Sequence, residues 1–221
     1  MHPVLRLYED VLSTAETLEF KLPPLPRFIL VVHGSALVDG ETLNAGEAWQ
    51  GEGAALVKPG PVGVTCWRWE LSPGDQGSMV ASAPGMMSHE KLTAFLETLP
   101  KSELLMRGDS VAFPPGGCAY LHRHQGPGIR CLMEGGMRID TYGRSTSYGP
   151  GSAWYETGID PVFAQAADDR PSRFIRVMIL PRALIGKSSI EYVNEEDKAK
   201  PKSQRYKIYA DAPITFGGAR K

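Results

Sequence analysis

Two histidines separated by one residue, His122 and His124, are the strongest chemical signal in the 221-residue chain. On a β-strand the side chains of residues i and i+2 point to the same face, so both imidazoles would project into one interior. Two neutral imidazoles one strand repeat apart suit a divalent first-row metal ion. The pair is equally compatible with two hydrogen-bonded histidines in a hydrophobic core, and the spacing alone leaves both alternatives open.

The residues around the pair add a recognisable order. Gly116 and Gly117 precede it, and a strand-like segment ending in Glu134-Gly135 follows within PPGGCAYLHRHQGPGIRCLMEGGMRID. This order resembles the first motif of the cupin superfamily, and GSAW at 151–154 extends the resemblance, which covers about residues 105 to 182. It implies a small β-barrel of the jelly-roll type with a divalent metal ion inside.

Two ligand positions of the cupin motifs are altered in this chain. The position of the usual glutamate holds Gly128, and that of the usual last histidine holds Val162. The resemblance to small cupins with a Trp-Tyr-Glu run makes Glu156 the expected third ligand beside the two histidines and Gln125 a weak fourth. Two imidazoles and one carboxylate with open positions suit Fe(II), and Mn, Zn or Ni would also fit.

Arg130 lies two residues after Gly128 and shares its predicted inward face. A buried arginine needs a partner, because an isolated buried charge costs several kcal/mol. Its guanidinium could clamp a substrate carboxylate, could form a salt bridge with Glu156 that leaves the metal short of a ligand, or could face solvent. In the first arrangement Tyr120 and Trp154 would complete the wall of the substrate pocket.

The elements that would position these residues are short strands. Apolar runs of four to eight residues are closed by the frequent glycines (24) and prolines (18), a pattern typical of all-β barrels. One segment, 88–105, instead predicts a helix, with Ser88 as its N-cap and apolar residues at helical spacing, namely Leu92, Phe95, Leu96 and Leu99.

An internal repeat predicts that the barrel occurs twice. Aligning FILVVHGSALVDG with IRCLMEGGMRIDTYG, and AGEAWQGEG with PGSAWYETG, places Gly34 over Gly135 and Trp49 over Trp154. A period of about 100 residues indicates a duplicated domain rather than a solenoid repeat.

The same offset maps the histidine pair onto Lys21 and Pro23, and Glu156 near Gly51, so we expect no metal in the first barrel. We therefore predict an all-β fold of two tandem cupin-type barrels joined by a short helical linker. The expected divisions are a degenerate barrel over 1–87, the linker over 88–106, the barrel with the site over 107–185, and a charged extension over 186–221. The alternating YKIYA segment of the extension is expected to dock on its own barrel or on a second subunit.

Composition excludes several classes of function. The formal net charge of −1 offers no long-range attraction to nucleic acids or anionic membranes, and the apolar runs are too short for a bilayer span. Three cysteines without CxxC spacing, Cys66, Cys118 and Cys131, favour buried thiols over disulfides or structural zinc. The N-terminus lacks the pattern of a secretory signal, so we expect a cytoplasmic protein. We also expect it to form a homodimer.

The chain contains neither a GxSxG nucleophile elbow nor a phosphate or dinucleotide loop. Because the cupin fold hosts many activities, the resemblance does not fix the reaction. The first expectation is a metal-dependent enzyme acting on a small carboxylate-bearing molecule, with dioxygenase-, lyase- or isomerase-type chemistry. The alternative is a non-enzymatic cupin that binds or senses a small molecule, with no metal or a vestigial one.

Overall fold

The computed structural model describes residues 2–14, 18–74, 80 and 82–216. Their regular secondary structure is almost entirely β-strand, as predicted, and the chain divides into two compact units, residues 1–96 with 214–221 and residues 97–213. None of the helices in the described ranges has the length and apolar character that a bilayer span requires. Cys66, Cys118 and Cys131 are free thiols.

In its described residues, the first unit contains eight strands that form one sheet. They are β1 (Val4–Leu12), β2 (Phe20–Leu22), β3 (Arg27–Val38), β4 (Glu41–Asn44), β5 (Ala48–Gly51), β6 (Ala55–Ser72), β7 (Ser82–Ala83) and β8 (Met86–Phe95). The order is β4-β3-β6-β1-β8-β7, with β2 paired to β6 and β5 paired to β3. Aliphatic and aromatic side chains from β1 to β6 form a hydrophobic core cluster in this unit.

The second unit contains ten strands in two five-stranded sheets. The strands are β9 (Leu104–Phe113), β10 (Cys118–His124), β11 (Gly128–Glu134), β12 (Met137–Thr141), β13 (Arg144–Tyr148), β14 (Ala153–Glu156), β15 (Val162–Ala166), β16 (Ser172–Pro181), β17 (Ile190–Tyr192) and β18 (Arg205–Ile214). One sheet has the order β13-β12-β15-β10-β17 and the other β14-β11-β16-β9-β18. A 3-10 turn (Arg182–Leu184) and a short helix, α1 (Glu195–Ala199), complete the unit. Strands of both sheets contribute to one hydrophobic core.

The pairing register agrees with the predicted duplication. Ile29 of β3 pairs with Trp49, and Arg130 of β11 pairs with Trp154 in the same way. The hairpins β3–β4 and β12–β13 both turn through two residues with positive φ, at Asp39-Gly40 and at Tyr142-Gly143, as expected for the tight turns that match strand twist.

The strand pairing shows which residues of the first unit are equivalent to His122 and His124, and they are not the predicted ones. Phe20 pairs with Val57, as His122 pairs with Val162 at the equivalent place. Phe20 and Leu22 are therefore the equivalents of the histidines, and Lys21 lies exposed on the opposite face. The alignment was wrong by one residue in β2, and a one-residue shift exchanges the two faces of a strand.

The predicted helix over 88–105 is wrong. Residues 86–95 form β8, which pairs with β1 from Val4–Phe95 to Leu12–Met86, and residues 97–103 contain turns without a helix. Ser88 lies within β8 and caps no helix, and its hydroxyl donates to Asp10 Oδ1 at 2.5 Å. Pairing with the open edge of β1 overrides a helical spacing that is short and interrupted by Pro100.

The C-terminal extension docks on its own barrel. β17 pairs with β10, and β18 lies next to β9 at the edge of the other sheet. Most of the predicted charged extension is thus an integral part of the second unit.

Two glycines test this architecture, Gly135 at the bend after β11 and Gly143 in the β12–β13 hairpin turn. Gly135 has φ of 84°, and a Cβ there would collide with the Pro171 carbonyl and with Ser172, whereas Gly143 has φ of 68° and open space around it. We expect Gly143→Ala to lower the free energy of unfolding by about 1 kcal/mol and Gly135→Ala by about 2–4 kcal/mol, measured by urea denaturation. Equal losses would show that the bend tolerates a side chain.

Candidate functional site

Six charged or imidazole side chains meet inside the second unit, and each comes from a strand. β10 provides two histidines, and β9, β11, β14 and β16 provide one charged residue each, so the set is Asp109, His122, His124, Arg130, Glu156 and Arg176. All six are buried. Two sheets thus place two imidazoles, two guanidinium groups and two carboxylates in one interior.

Arg130 and Glu156 form an ion pair. Arg130 Nη2 lies 2.7 Å from Glu156 Oε2, and Arg130 Nη1 donates to the Gly128 carbonyl at 2.7 Å. Trp154 Nε1 donates to the other carboxylate oxygen, Oε1, at 2.9 Å. Burial lowers the pKa of Arg130 to about 10, which still leaves the guanidinium charged at neutral pH.

Arg176 forms a bidentate pair with Asp109 and also reaches a histidine. Its Nε and Nη2 donate to the two carboxylate oxygens at 2.9 and 2.7 Å. Its Nη1 lies 3.4 Å from His124 Nε2. Burial opposes the charged form of Arg176, but the charge and hydrogen bonds of Asp109 raise its pKa above the ordinary value.

These contacts fix the tautomers of both histidines. A guanidinium only donates, so His124 Nε2 must accept and the proton lies on Nδ1, 3.4 Å from the Ser189 hydroxyl. His122 Nδ1 lies 2.7 Å from the Tyr120 carbonyl, which only accepts, so His122 also carries its proton on Nδ1. Burial lowers the pKa of His122, and burial reinforced by Arg176 lowers that of His124 further, so both rings are neutral.

Three cavities adjoin this cluster, and one of them, a surface cavity of about 300 Å³, touches it only at His124. The interior cavity, between the two sheets, has a volume of about 20 Å³, enough for about one water molecule. A larger cavity of about 260 Å³ lies between β9, residues 186–190 and β18, and His124 and Arg176 belong to the walls of both. A small molecule therefore fits the outer cavity and not the interior.

Solved structures of similar fold superpose on most of the chain. An oxalate decarboxylase from Lactobacillus farciminis in complex with formate has a TM-score of 0.60 at 12% identity, covering 91% of this chain and 82% of that one. A salicylate 1,2-dioxygenase from Pseudaminobacter salicylatoxidans has a TM-score of 0.52 at 11% identity, covering 94% and 75%. These structures are cupin-domain proteins. The chain has the cupin fold. No protein-family model and no curated protein matches the sequence.

The two units are thus tandem cupin-type barrels, and the second barrel carries the charged cluster. Its predicted ligands are close together, with the His122 and His124 ring centres 4.8 Å apart and His124 Nε2 3.8 Å from Glu156 Oε2.

The arrangement does not fit a metal ion. Guanidinium groups contact both the Glu156 carboxylate and His124 Nε2, where they would repel a cation. In the described part of the chain, no group of three or more His, Cys, Asp or Glu is arranged to hold a metal. Of the alternatives for Arg130, the observed one is the salt bridge with Glu156.

The other predicted site residues lie outside the interior cavity. Tyr120 lies under the ammonium groups of Lys200 and Lys202, each 5.1 Å from the ring centre, because β10 has a register shift between Ala119 and His122. Gln125 borders a separate surface cavity of about 300 Å³. Trp154 is a core residue that orients Glu156.

Sequence reasoning missed Asp109 and Arg176. Each is a charged residue in the middle of a mostly apolar and mostly buried strand, in LLMRGDSVAF and SRFIRVMILP. A charge at such a position requires a buried partner, and this was the available signal.

Loss of the Arg130 charge should leave the buried Glu156 carboxylate without its cationic partner. We expect Arg130→Met to lower the free energy of unfolding by about 3–5 kcal/mol. In the double variant Arg130→Met/Glu156→Gln, the amide still accepts from Trp154, and we expect recovery of about 1–3 kcal/mol in urea denaturation. A single variant as stable as wild type would show that the pair contributes nothing to folding.

The buried neutral histidines should make the protein sensitive to mild acid. Below pH 6.5 the unfolded histidines bind protons that the folded ones, facing Arg130 and Arg176, do not. Stability should therefore fall between pH 6.5 and 5.5, by up to about 1.4 kcal/mol per pH unit for each histidine.

Urea denaturation at several pH values measures this slope. His124→Gln should flatten it, whereas His89→Gln, at an exposed position in the first unit, should leave it unchanged. An identical slope in wild type and His124→Gln would contradict the assignment.

Proposed function

We propose that the second barrel binds a small carboxylate-bearing molecule without a metal ion, as a binding or sensing module. The observation that carries this proposal is the pair of guanidinium groups, Arg130 on Glu156 and Arg176 on His124 Nε2. Arg176 donates from Nε and Nη2 to Asp109, so a ligand carboxylate would reach this guanidinium through Nη1, whereas two fixed cations disfavour a metal ion.

The space around the cluster supports the same conclusion. The interior has room for about one water molecule, and of the larger cavities that adjoin the cluster, the 260 Å³ cavity is the one lined by Arg176. The two similar structures are an oxalate decarboxylase in complex with formate and a salicylate 1,2-dioxygenase. Oxalate, formate and salicylate are small carboxylates, although the likeness is one of fold.

A metal-dependent enzyme is the second candidate. It is favoured by the convergence of His122, His124 and Glu156 in one interior. To accommodate a metal, Arg130 would have to leave Glu156, and Arg176 would have to leave His124.

Metal content and thermal melting distinguish the two candidates. We expect the purified protein to carry much less than one metal ion per chain, and Fe(II), Mn(II), Zn(II) and Ni(II) to leave its melting temperature unchanged. Small carboxylates at millimolar concentration should raise the melting temperature by mass action. About one bound metal ion per chain, lost in His122→Ala/His124→Ala, would overturn the proposal in favour of the metal enzyme.

A further inference from the structure

We propose that the ligand is a small monocarboxylate with an apolar body, bound outside the barrel interior in the 260 Å³ cavity, here called the extension pocket. This inference rests on the proposed function and assigns it a place and a ligand class. The pocket is lined by Arg107 and Asp109 of β9, by His124 and Arg176, by residues 186–190, and by Tyr206 and Ile208 of β18.

The extension pocket is mainly a product of the C-terminal extension. Seven of its eleven lining residues follow β16, so most of the pocket wall is built by chain outside the strands β9 to β16. Its walls are joined by Asp211, which accepts two hydrogen bonds from Arg107 at 3.0 Å and one from the Gly186 amide at 2.7 Å. One carboxylate thus ties β9, β18 and the 186–190 loop together, which preorganises the site.

The charges of the pocket leave one positive charge unbalanced. Arg107 is neutralised by Asp211 and Arg176 by Asp109. Lys187 is exposed and makes no ion pair with any residue that the structure describes. An anion of a single charge would balance Lys187, and Arg176, which lines the same pocket, would share the carboxylate.

The remaining surface of the pocket is apolar. Tyr206 and Ile208 share one face of β18 and are 49% and 54% exposed, and Ile190 lies on the opposite wall. Half-exposed large apolar side chains gain about 25 cal/mol for each Å² that a ligand covers. The volume is just below the usual range of about 300–1,000 Å³ for ligand pockets, so the ligand is a small one.

Calorimetric titration of the full chain with benzoate tests the inference. We expect one benzoate per chain, with benzamide (neutral), oxalate (two charges and no apolar body) and acetate (no ring) each binding at least about tenfold more weakly. Lys187→Gln should weaken benzoate by about threefold to tenfold, since it removes the unbalanced cation.

Lys207→Gln is the matched control, because Lys207 is exposed on β18 between two pocket residues but does not line the pocket. It should bind benzoate as wild type does. Ile208→Ser should weaken benzoate and leave acetate unchanged.

The outcomes separate the two proposals. If carboxylates bind wild type and Lys187→Gln equally well, or if oxalate binds more tightly than benzoate, the extension pocket assignment is overturned and the proposed function stands. If no carboxylate binds to wild type, or if binding requires an added metal ion, the proposed function itself is overturned.

Discussion

The bidentate ion pair of Arg176 and Asp109 is the interaction on which the second barrel depends. It joins β16 to β9 in the middle of a sheet, with both side chains buried, so removing either partner would leave an unpaired charge at a cost of about 3–5 kcal/mol. The pair also fixes the direction of the third guanidinium nitrogen, which meets His124 Nε2. Through this contact the ion pair determines the tautomer of His124 and makes a metal ion unfavourable at its free nitrogen.

The first barrel contains the same device without the histidines. Arg68 pairs with Ile29 in the sheet as Arg176 pairs with Arg130, and its guanidinium forms a bidentate pair with Asp10. There the arginine lies over the aromatic rings of Tyr8 and Phe20, and Phe20 occupies the position equivalent to His122. A buried arginine–aspartate pair is therefore a common feature of both barrels. In the first barrel it extends to Glu70 and Arg27, and the histidines are specific to the second.

The positions of the cavities show why the fold alone does not determine where this chain would bind a ligand. Charged and aromatic side chains fill the interior of the second barrel, while the C-terminal extension builds a new cavity at its edge. The cupin fold supplies rigid strands that aim the side chains, but the added segment decides where a ligand has room.

The sequence by itself determined the all-β class, the duplication and the inward direction of His122, His124, Arg130 and Glu156, because strand alternation and glycine bends are local properties. The tertiary structure decided the rest. Residues 86–95 form a strand because they pair with the edge of β1. A register shift in β10 directs Tyr120 outward. Arg130 and Arg176, from different strands, contact the Glu156 and His124 atoms that were expected to bind a metal. Such pairings depend on which strands become neighbours, and spacing along one chain does not contain that information.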